Sequence, residues 1–523
     1  MSTINSQDGQ TLSSWWDGVE IPPFRPLDGD RSCDVCVIGA GIAGLSVAYH
    51  LCNAGIKVIV VDDSQVGDGQ SGRTSAHLSS EWDDRYLEAE RALGAQAACQ
   101  IYDSHSKAID TIESIAKKEK IDCDFARVDG WLFLGPDDKD QLLLDELAAA
   151  MRAGFFDAEH RDSLKIGEHN FGPALRFPRQ AIFHPLKYLA GLTRCITSRG
   201  GEIFCGDRVN DVQGFDPKNN EPAKATTQRG PVVSAARGIA VCTNTPAPIN
   251  DWMGIYTKQA AYRTYVIAAR IDKGVVPAGL YWDTLDPYHY VRTQPLPDGG
   301  DGELLLIGGE DHKTGQHPPT AAPFASLETW GRQRFPAMKE VLYRWSGQVQ
   351  EPADSVAYIG RAPHAKQGIY VATGDSGMGL THGTIAGLLI SDLIQGKTNP
   401  WESLYDPSRK PLGATTEFAK ENLNVVEQYT KYFTGGEVSS VDEIRPGTGA
   451  LIRRGLTKLA VYRDDGGVVH EISPKCTHLG CIVSWNDVEK TWDCPCHGAR
   501  YDPLGHVIMG PAVSDLSAAG GEV

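Results

Sequence analysis

The sequence predicts an α/β domain that carries an inserted antiparallel sheet and is followed by a small all-β module. Three observations point there: a glycine-rich turn between two apolar β-rich runs near the N-terminus, β-rich runs alternating with turns across residues 181–350, and a short-stranded stretch from Gly435 that holds two cysteine/histidine boxes. At 523 residues the chain exceeds the usual reach of one hydrophobic core, so two or more domains are expected.

The α/β domain rests on its first motif. Val35-Cys36-Val37-Ile38 leads into Gly39-Ala-Gly41-Ile42-Ala43-Gly44, a helix-like stretch follows through Leu51, and a second strand from Val58 reaches Asp62 and Asp63. The glycines allow a tight turn, close approach of backbone to a pyrophosphate and close packing of helix on strand. The helix N-terminus adds N–H groups for phosphate, and Asp62 is placed to accept a hydrogen bond from a ribose hydroxyl. A glycine-rich turn without a ligand is the alternative. Two further glycine turns bear on which dinucleotide binds. One is the small-residue loop Gly69–Thr74, with Gly72, Arg73 and Thr74. The other is Gly374-Asp375-Ser376-Gly377-Met378-Gly379, between the β-rich run Ile369–Ala372 and the apolar helix Ile385–Ile394. A cofactor that draws on glycine turns from both ends of a domain is extended, which favours FAD over NAD.

The inserted sheet is expected from runs such as Ala261–Ile271 and Glu303–Ile307. Helical spacing covers Arg85–Lys120 and Asp140–Ala153. Residues 1–30 form an arm whose Trp15 and Trp16 should pack on something. The main domain then spans 31–410, with its substrate subdomain at 181–350. A connector at 411–434, helical from Thr415 to Lys431, leads to the module at 435–523.

That module carries Cys476-Thr-His478 and, sixteen residues after His478, Cys494-Pro-Cys496-His497. A Rieske-type [2Fe–2S] centre needs two thiolates on one iron and two imidazoles on the other. Cys476, Cys494, His478 and His497 supply one of each per loop. Cys481 and Cys496 remain, where a disulfide could staple the loops. A zinc site is the rival, but it accounts for neither the second cysteine pair nor the tryptophan-bearing surroundings.

Hydrophobic content of 41% and 8% aromatics suit a globular protein, and the net charge of −17 argues against nucleic acid or an anionic membrane as partner. No signal-like or membrane-length apolar run is present, so a cytoplasmic protein without a membrane span is expected. The other eight of the 12 cysteines are scattered, as suits reduced structural thiols. Cys33 and Cys36 form a C-x-x-C that flanks the entry to the first strand and is read as structural.

Over roughly residues 31–405 the glycine turns resemble those of the D-amino-acid oxidase, glycine oxidase and sarcosine oxidase superfamily. With the C-terminal module, the chain resembles FAD-dependent oxidoreductases that carry a C-terminal Rieske domain. Their members read much like Phe183-His184-Pro185, Tyr281-Trp282-Asp283 through Tyr288-His289-Tyr290-Val-Arg292, and Gly308-Gly-Glu310-Asp311-His312.

The resemblance implies several roles. The turn at Gly374–Gly379 closes over the flavin. Amino-acid-oxidising relatives carry an arginine where Val349 stands here, which weakens the case for a simple α-amino acid substrate. Arg292 could replace that arginine, or be a structural strand-end residue. Trp282, Tyr288 and Tyr290 could wall an amine, or be core. His184 and His289 are possible proton handlers or structural histidines, and His77 lies near the flavin loop. Thr74 stands near the position of the covalent-flavin histidine of dimethylglycine-dehydrogenase-like proteins, so FAD is expected to be non-covalent. Tyr501 matches a tyrosine that donates to a cluster sulfur, whereas the usual serine is Ala499.

The function implied is flavin-dependent oxidation of a C–N bond in an amine or N-alkyl amino compound. Electrons would pass from FAD to the Rieske cluster and on to an external acceptor. A plain oxygen-using oxidase and an electron-transfer reductase serving a partner oxygenase are the alternatives.

Overall fold

The computed structural model describes residues 9–519 apart from 168, 217, 247–254, 317–320, 364–366, 411–422, 426–427 and 433. Most of the expected connector helix at Thr415–Lys431 lies outside the described residues.

Strand β1 (Arg31–Ile38), helix α1 (Ile42–Asn53) and strand β2 (Val58–Asp62) form the parallel unit that the glycine motif predicts, with Val35 beside Val58 and Ile38 beside Val61. Strand Val232–Val241 lies on the other side of β1, and Glu202–Cys205 lies outside β2. The far half of Val232–Val241 pairs with Ile369–Thr373, so the chain returns to this sheet after a long excursion. These strands belong to an eight-stranded sheet. Helices α1 and Gly379–Ile394 cover the face of Val35 and Val58, while Ile38 and Val61 on the other face share an apolar cluster with Leu27, Val209 and Ala225, so both faces are buried, as near-continuous apolar runs such as Val58–Val61 require.

The excursion builds a nine-stranded sheet ordered Val341–Pro352, Gln259–Ile271, Glu303–Lys313, Tyr290–Pro295, Gly279–Asp283, Ala126–Phe133, Ala174–Ile182 and His77–Leu78, with Glu159–Arg161 also pairing on Ala174–Ile182. It differs from the expected subdomain at 181–350 in two ways. Most of Ala174–Ile182 and all of Ala126–Phe133 precede that range, while Glu202–Cys205 and Val232–Val241 fall within it but serve the other sheet. Local β-propensity marks a strand without naming its partner.

The predicted helix at 85–120 is two helices, Tyr86–Leu93 and Ala95–Lys118, separated at Gly94 with φ +91°. Helix Gly379–Ile394 packs along α1 at very short range: a side chain at Gly383 would meet Ile42, and one at Gly387 would meet Ser46.

The C-terminal module has a three-stranded sheet (Thr448–Arg454, Thr457–Arg463, Val469–Ile472) and a four-stranded one (Ser484–Asn486, Thr491–Asp493, Arg500–Tyr501, Val507–Met509). The N-terminal arm ties both parts together. Trp15 is buried and donates from its indole to the Thr74 carbonyl at 2.7 Å, while Thr11 bonds Glu489 of the C-terminal module. Among the described residues no helix is long and apolar enough to cross a membrane.

Candidate functional site

A cavity of about 370 Å³ runs along the carboxyl end of β1 and β2 and under the nine-stranded sheet. Its nucleotide end is made by the first motif. Gly39 has φ +105°, and a Cβ there would sit 2.6 Å from the Cys242 carbonyl oxygen. A Cβ on Gly44 would lie 1.8 Å from the Gly39 carbonyl oxygen, so helix and turn touch backbone to backbone. Asp62 at the end of β2 accepts from the Ala40 N–H at 2.5 Å and the Ser64 N–H at 2.8 Å. Asp63 is paired with Arg208 at 2.6 Å.

Loop Gly69–Thr74 closes against this end. Ser71 Oγ accepts from the Ile42 N–H at 3.0 Å, directly on the N-terminus of α1. Arg73 reaches the cavity wall, but its guanidinium turns away to the Ser346 and Thr11 carbonyls and to Glu489. The late turn approaches from the opposite side: Gly374 and Gly377 both have φ +71°, and Asp375 accepts from the Gln350 N–H at 3.2 Å. Gly39, Gly41, Ile42, Ala43, Asp62, Asp63, Arg73, Thr74, Gly374, Asp375, Gly377, Met378 and Gly379 all line the one cavity; Gly44 and Gly72 stand behind it as packing positions.

The other end is aromatic and acidic. Trp282, Tyr288, Tyr290, His77 and Val349 line it, with Glu81, Asp83, Asp311 and Glu351 among them. Tyr290 lies over Gly308, where a Cβ would meet its ring at 2.1 Å, and Gly309 makes room for the Tyr288 carbonyl, so the Gly308-Gly309 pair shapes this wall. Burial and then the Arg292 charge push the His77 ring down to about 3, so it is neutral at physiological pH.

Three of the sequence-derived substrate-site candidates do not reach the cavity. His289 points to the opposite face of the sheet from Tyr288 and Tyr290. It stacks on Trp330 with ring centroids 4.4 Å apart and bonds Asp283 at 2.9 Å. Arg292 shares the face of Tyr290 but lies beyond the cavity under the N-terminal arm. It is buried against Trp15 and donates to the Ala76 carbonyl at 2.5 Å. Arg292 is therefore a structural tie between the sheet, the arm and the flavin loop, and does not compensate for Val349. His184 caps helix Pro185–Ser198 against Trp15 and is likewise structural. The four acids were missed as a group; Glu81 and Asp83 had a signal in the run Glu81-Trp82-Asp83-Asp84, shortly after the flavin loop, and Asp311 and Glu351 had none.

In the C-terminal module the two boxes converge. The His478 and His497 rings are 5.0 Å apart, and both Cys476 and Cys494 are buried free thiols. Cys481 and Cys496 form a disulfide across the two loops with Cα atoms 6.4 Å apart. Cys481, Cys494 and Cys496 also converge, but the disulfide consumes two of these sulfurs and leaves Cys494 as the available one. His497 Nδ1 is buried with no hydrogen-bond partner among the described residues, which fits an imidazole awaiting iron. Tyr501 donates to Cys476 Sγ at 3.2 Å, and Ala499 is fully buried. This donor set of two thiols and two imidazoles fits a Rieske centre.

The module is docked tightly on the rest of the chain. Tyr256 sits edge-on to His478 with ring centroids 4.8 Å apart, and Gln348 donates to the Gly498 carbonyl at 2.9 Å. Ile508, Met509, Gly510, Ala512 and Val513 form part of the wall of the first cavity. A buried ion cluster locks the interface: Glu489 meets Arg263 at 3.0 Å and Arg73 at 3.4 Å, and accepts from Ser346 and Thr11. Burial alone would raise this carboxyl, but the Arg73, Arg263 and Arg500 charges hold it down at about 2.

Residues 34–393 match the FAD dependent oxidoreductase family and residues 436–519 the Rieske [2Fe-2S] domain. The chain belongs to that oxidoreductase family and carries a C-terminal Rieske domain. It is similar along nearly its whole length to YhfW of Bacillus subtilis, named as a Rieske 2Fe-2S iron-sulfur protein: 32% identity over 507 residues, 96% of each chain. Gamma-glutamylputrescine oxidoreductase of Escherichia coli is 26% identical over 75% of this chain and 90% of its own. Glycine oxidase from Geobacillus kaustophilus shares the fold, with a TM-score of 0.60 at 15% identity over 73% of this chain and 99% of its own.

Proposed function

We propose that this oxidoreductase oxidises a C–N bond of an amine or N-alkyl amino compound and passes the electrons from FAD through its Rieske cluster to an external acceptor. The observation that carries the internal route is the shared wall: the segment 508–513 of the cluster module lines the same cavity as Gly39 and Tyr288, while Tyr256 abuts the cluster histidine His478. An oxidoreductase named for gamma-glutamylputrescine among the relatives supports a C–N bond as the target.

Bound FAD would supply a hydride acceptor for a substrate carbon next to nitrogen, and a bound cluster would supply one-electron transfer. The chain's residues do the positioning. The Gly39–Gly44 turn and α1 hold the pyrophosphate, Asp62 holds the ribose, and the loops at Gly69–Thr74 and Gly374–Gly379 close on the cofactor. FAD is held non-covalently, since Thr74 offers no imidazole. Tyr288 and Tyr290 present an aromatic face to the substrate nitrogen. Cys476, Cys494, His478 and His497 hold the cluster. We place the protein in the cytoplasm, in keeping with the eight free cysteines outside the cluster loops.

The test is anaerobic mixing of the enzyme with an amine panel, following flavin bleaching and the cluster's reduced-state resonance. Flavin reduction followed by cluster reduction is expected. A cluster that stays oxidised while the flavin is reduced, with rapid reoxidation by oxygen, indicates a plain oxidase; reduction by NADH alone indicates a reductase.

A further inference from the structure

The Tyr288 end of the cavity gathers more carboxyl groups than hydride transfer from a simple amine needs. Glu81, Asp83, Asp311 and Glu351 all line it. Tyr288 Oη donates to Asp83 Oδ2 at 3.3 Å, Tyr290 Oη lies 2.9 Å from Thr264 Oγ1, and Glu351 Oε2 accepts from Ser376 Oγ at 2.9 Å. Glu81 is only 3% exposed, yet its Oε1 has no hydrogen-bond partner among the described residues, nor does Asp311 Oδ1.

Protein cations do not neutralise this group from within. Among the described residues, the lysine and arginine side chains in the cavity wall are Arg73 and Arg208, held by Glu489 and Asp63 respectively. Arg85 acts on Glu81 from outside the wall. Burial pushes Asp311 up to about 7 and Glu81 well above its ordinary value, the behaviour of carboxyls that lack a cation. A desolvated carboxylate without a partner is costly, and a ligand ammonium removes that cost.

We infer that this end of the cavity selects substrates bearing a second cationic nitrogen and no carboxylate, that is, a diamine or polyamine. A substrate carboxylate would meet four acids and, at position 349, a valine. A distal ammonium would meet Asp311 and Glu81, with the faces of Tyr288 and Tyr290 beside it. The inference rests on the C–N oxidation proposed above and adds the charge of the substrate.

The experiment uses the holoenzyme, with putrescine, spermidine, n-butylamine and glycine as probes. Anaerobic flavin reduction is measured for each, together with calorimetric binding of spermidine to the oxidised enzyme. Putrescine or spermidine should reduce the flavin roughly tenfold or more faster at equal concentration than n-butylamine or glycine, the value of one charge-assisted contact. Asp311→Asn and Glu81→Gln should each weaken spermidine binding roughly tenfold, with a smaller loss for n-butylamine; unchanged FAD and iron content shows that the variants fold. Reduction by n-butylamine or glycine as fast as by the diamines overturns the charge selection and leaves C–N oxidation standing. Spermidine binding that weakens in the variants, without flavin reduction by any amine, supports the cation site and overturns the C–N reading. Binding insensitive to both variants overturns the inference.

Discussion

The cluster site draws its four ligands from residues 476–497, two adjacent loops clasped by the Cys481–Cys496 disulfide. The flavin cavity gathers its wall from segments that run from Ile38 to Val513 and belong to three sheets. A local site depends on its own loops; a distributed one depends on every docking surface that brings its pieces together. The two sites should therefore fail differently, although Glu489 connects them.

The sharpest separation is Cys494→Ser. Loss of one thiolate should abolish the cluster, while FAD remains bound, since Cys494 does not line the flavin cavity. Iron, labile sulfide and released flavin measured on the same sample check this; loss of FAD in step with iron would show that the cluster supports the cavity.

Glu489→Gln should break the comparison from the other side by disturbing both sites. Removing the carboxylate leaves Arg73 and Arg263 buried without their counter-charge, at a cost of about 3–5 kcal/mol in denaturant unfolding. The same residue sets an acid limit. Its carboxyl is held at about 2 against an ordinary value of 4.5. The stabilisation is full above the ordinary value and is lost as pH falls toward the folded one. Stability of the native protein should drop over that window, and Glu489→Gln should flatten the drop.

Gly44→Ala should act on the flavin site alone. The added methyl meets the Gly39 carbonyl oxygen and forces helix and turn apart, at about 1–3 kcal/mol. FAD content should fall while iron and sulfide stay constant. The smallest effect is expected from Tyr501→Phe, which removes the donor to Cys476 Sγ. The cluster midpoint potential should fall, with the flavin midpoint unchanged, as a potentiometric titration would show.

What could be read from the sequence follows the same division. The cluster ligands and the cysteine staple were legible because two loops bring all six residues together. The β1–α1–β2 unit was legible because its glycines are required by contacts within a short stretch. Near Tyr288 only strand parity was available. Parity alone places His289 on the face away from Tyr288 and Tyr290, where the structure puts it. For Arg292 parity misleads, because Trp15, far away in the chain, covers that part of the same face. The acids Asp311 and Glu351 come from strands whose neighbours are set by sheet order, which local pattern does not encode.

The segment 508–513 has a practical consequence for taking the protein apart. A chain cut before residue 435 is missing one side of the vessel in which the flavin chemistry happens, as well as its electron outlet. Transplanting another cluster module onto this flavoprotein would succeed only if the graft brought a segment of matching shape to complete the cavity wall beside Asn244.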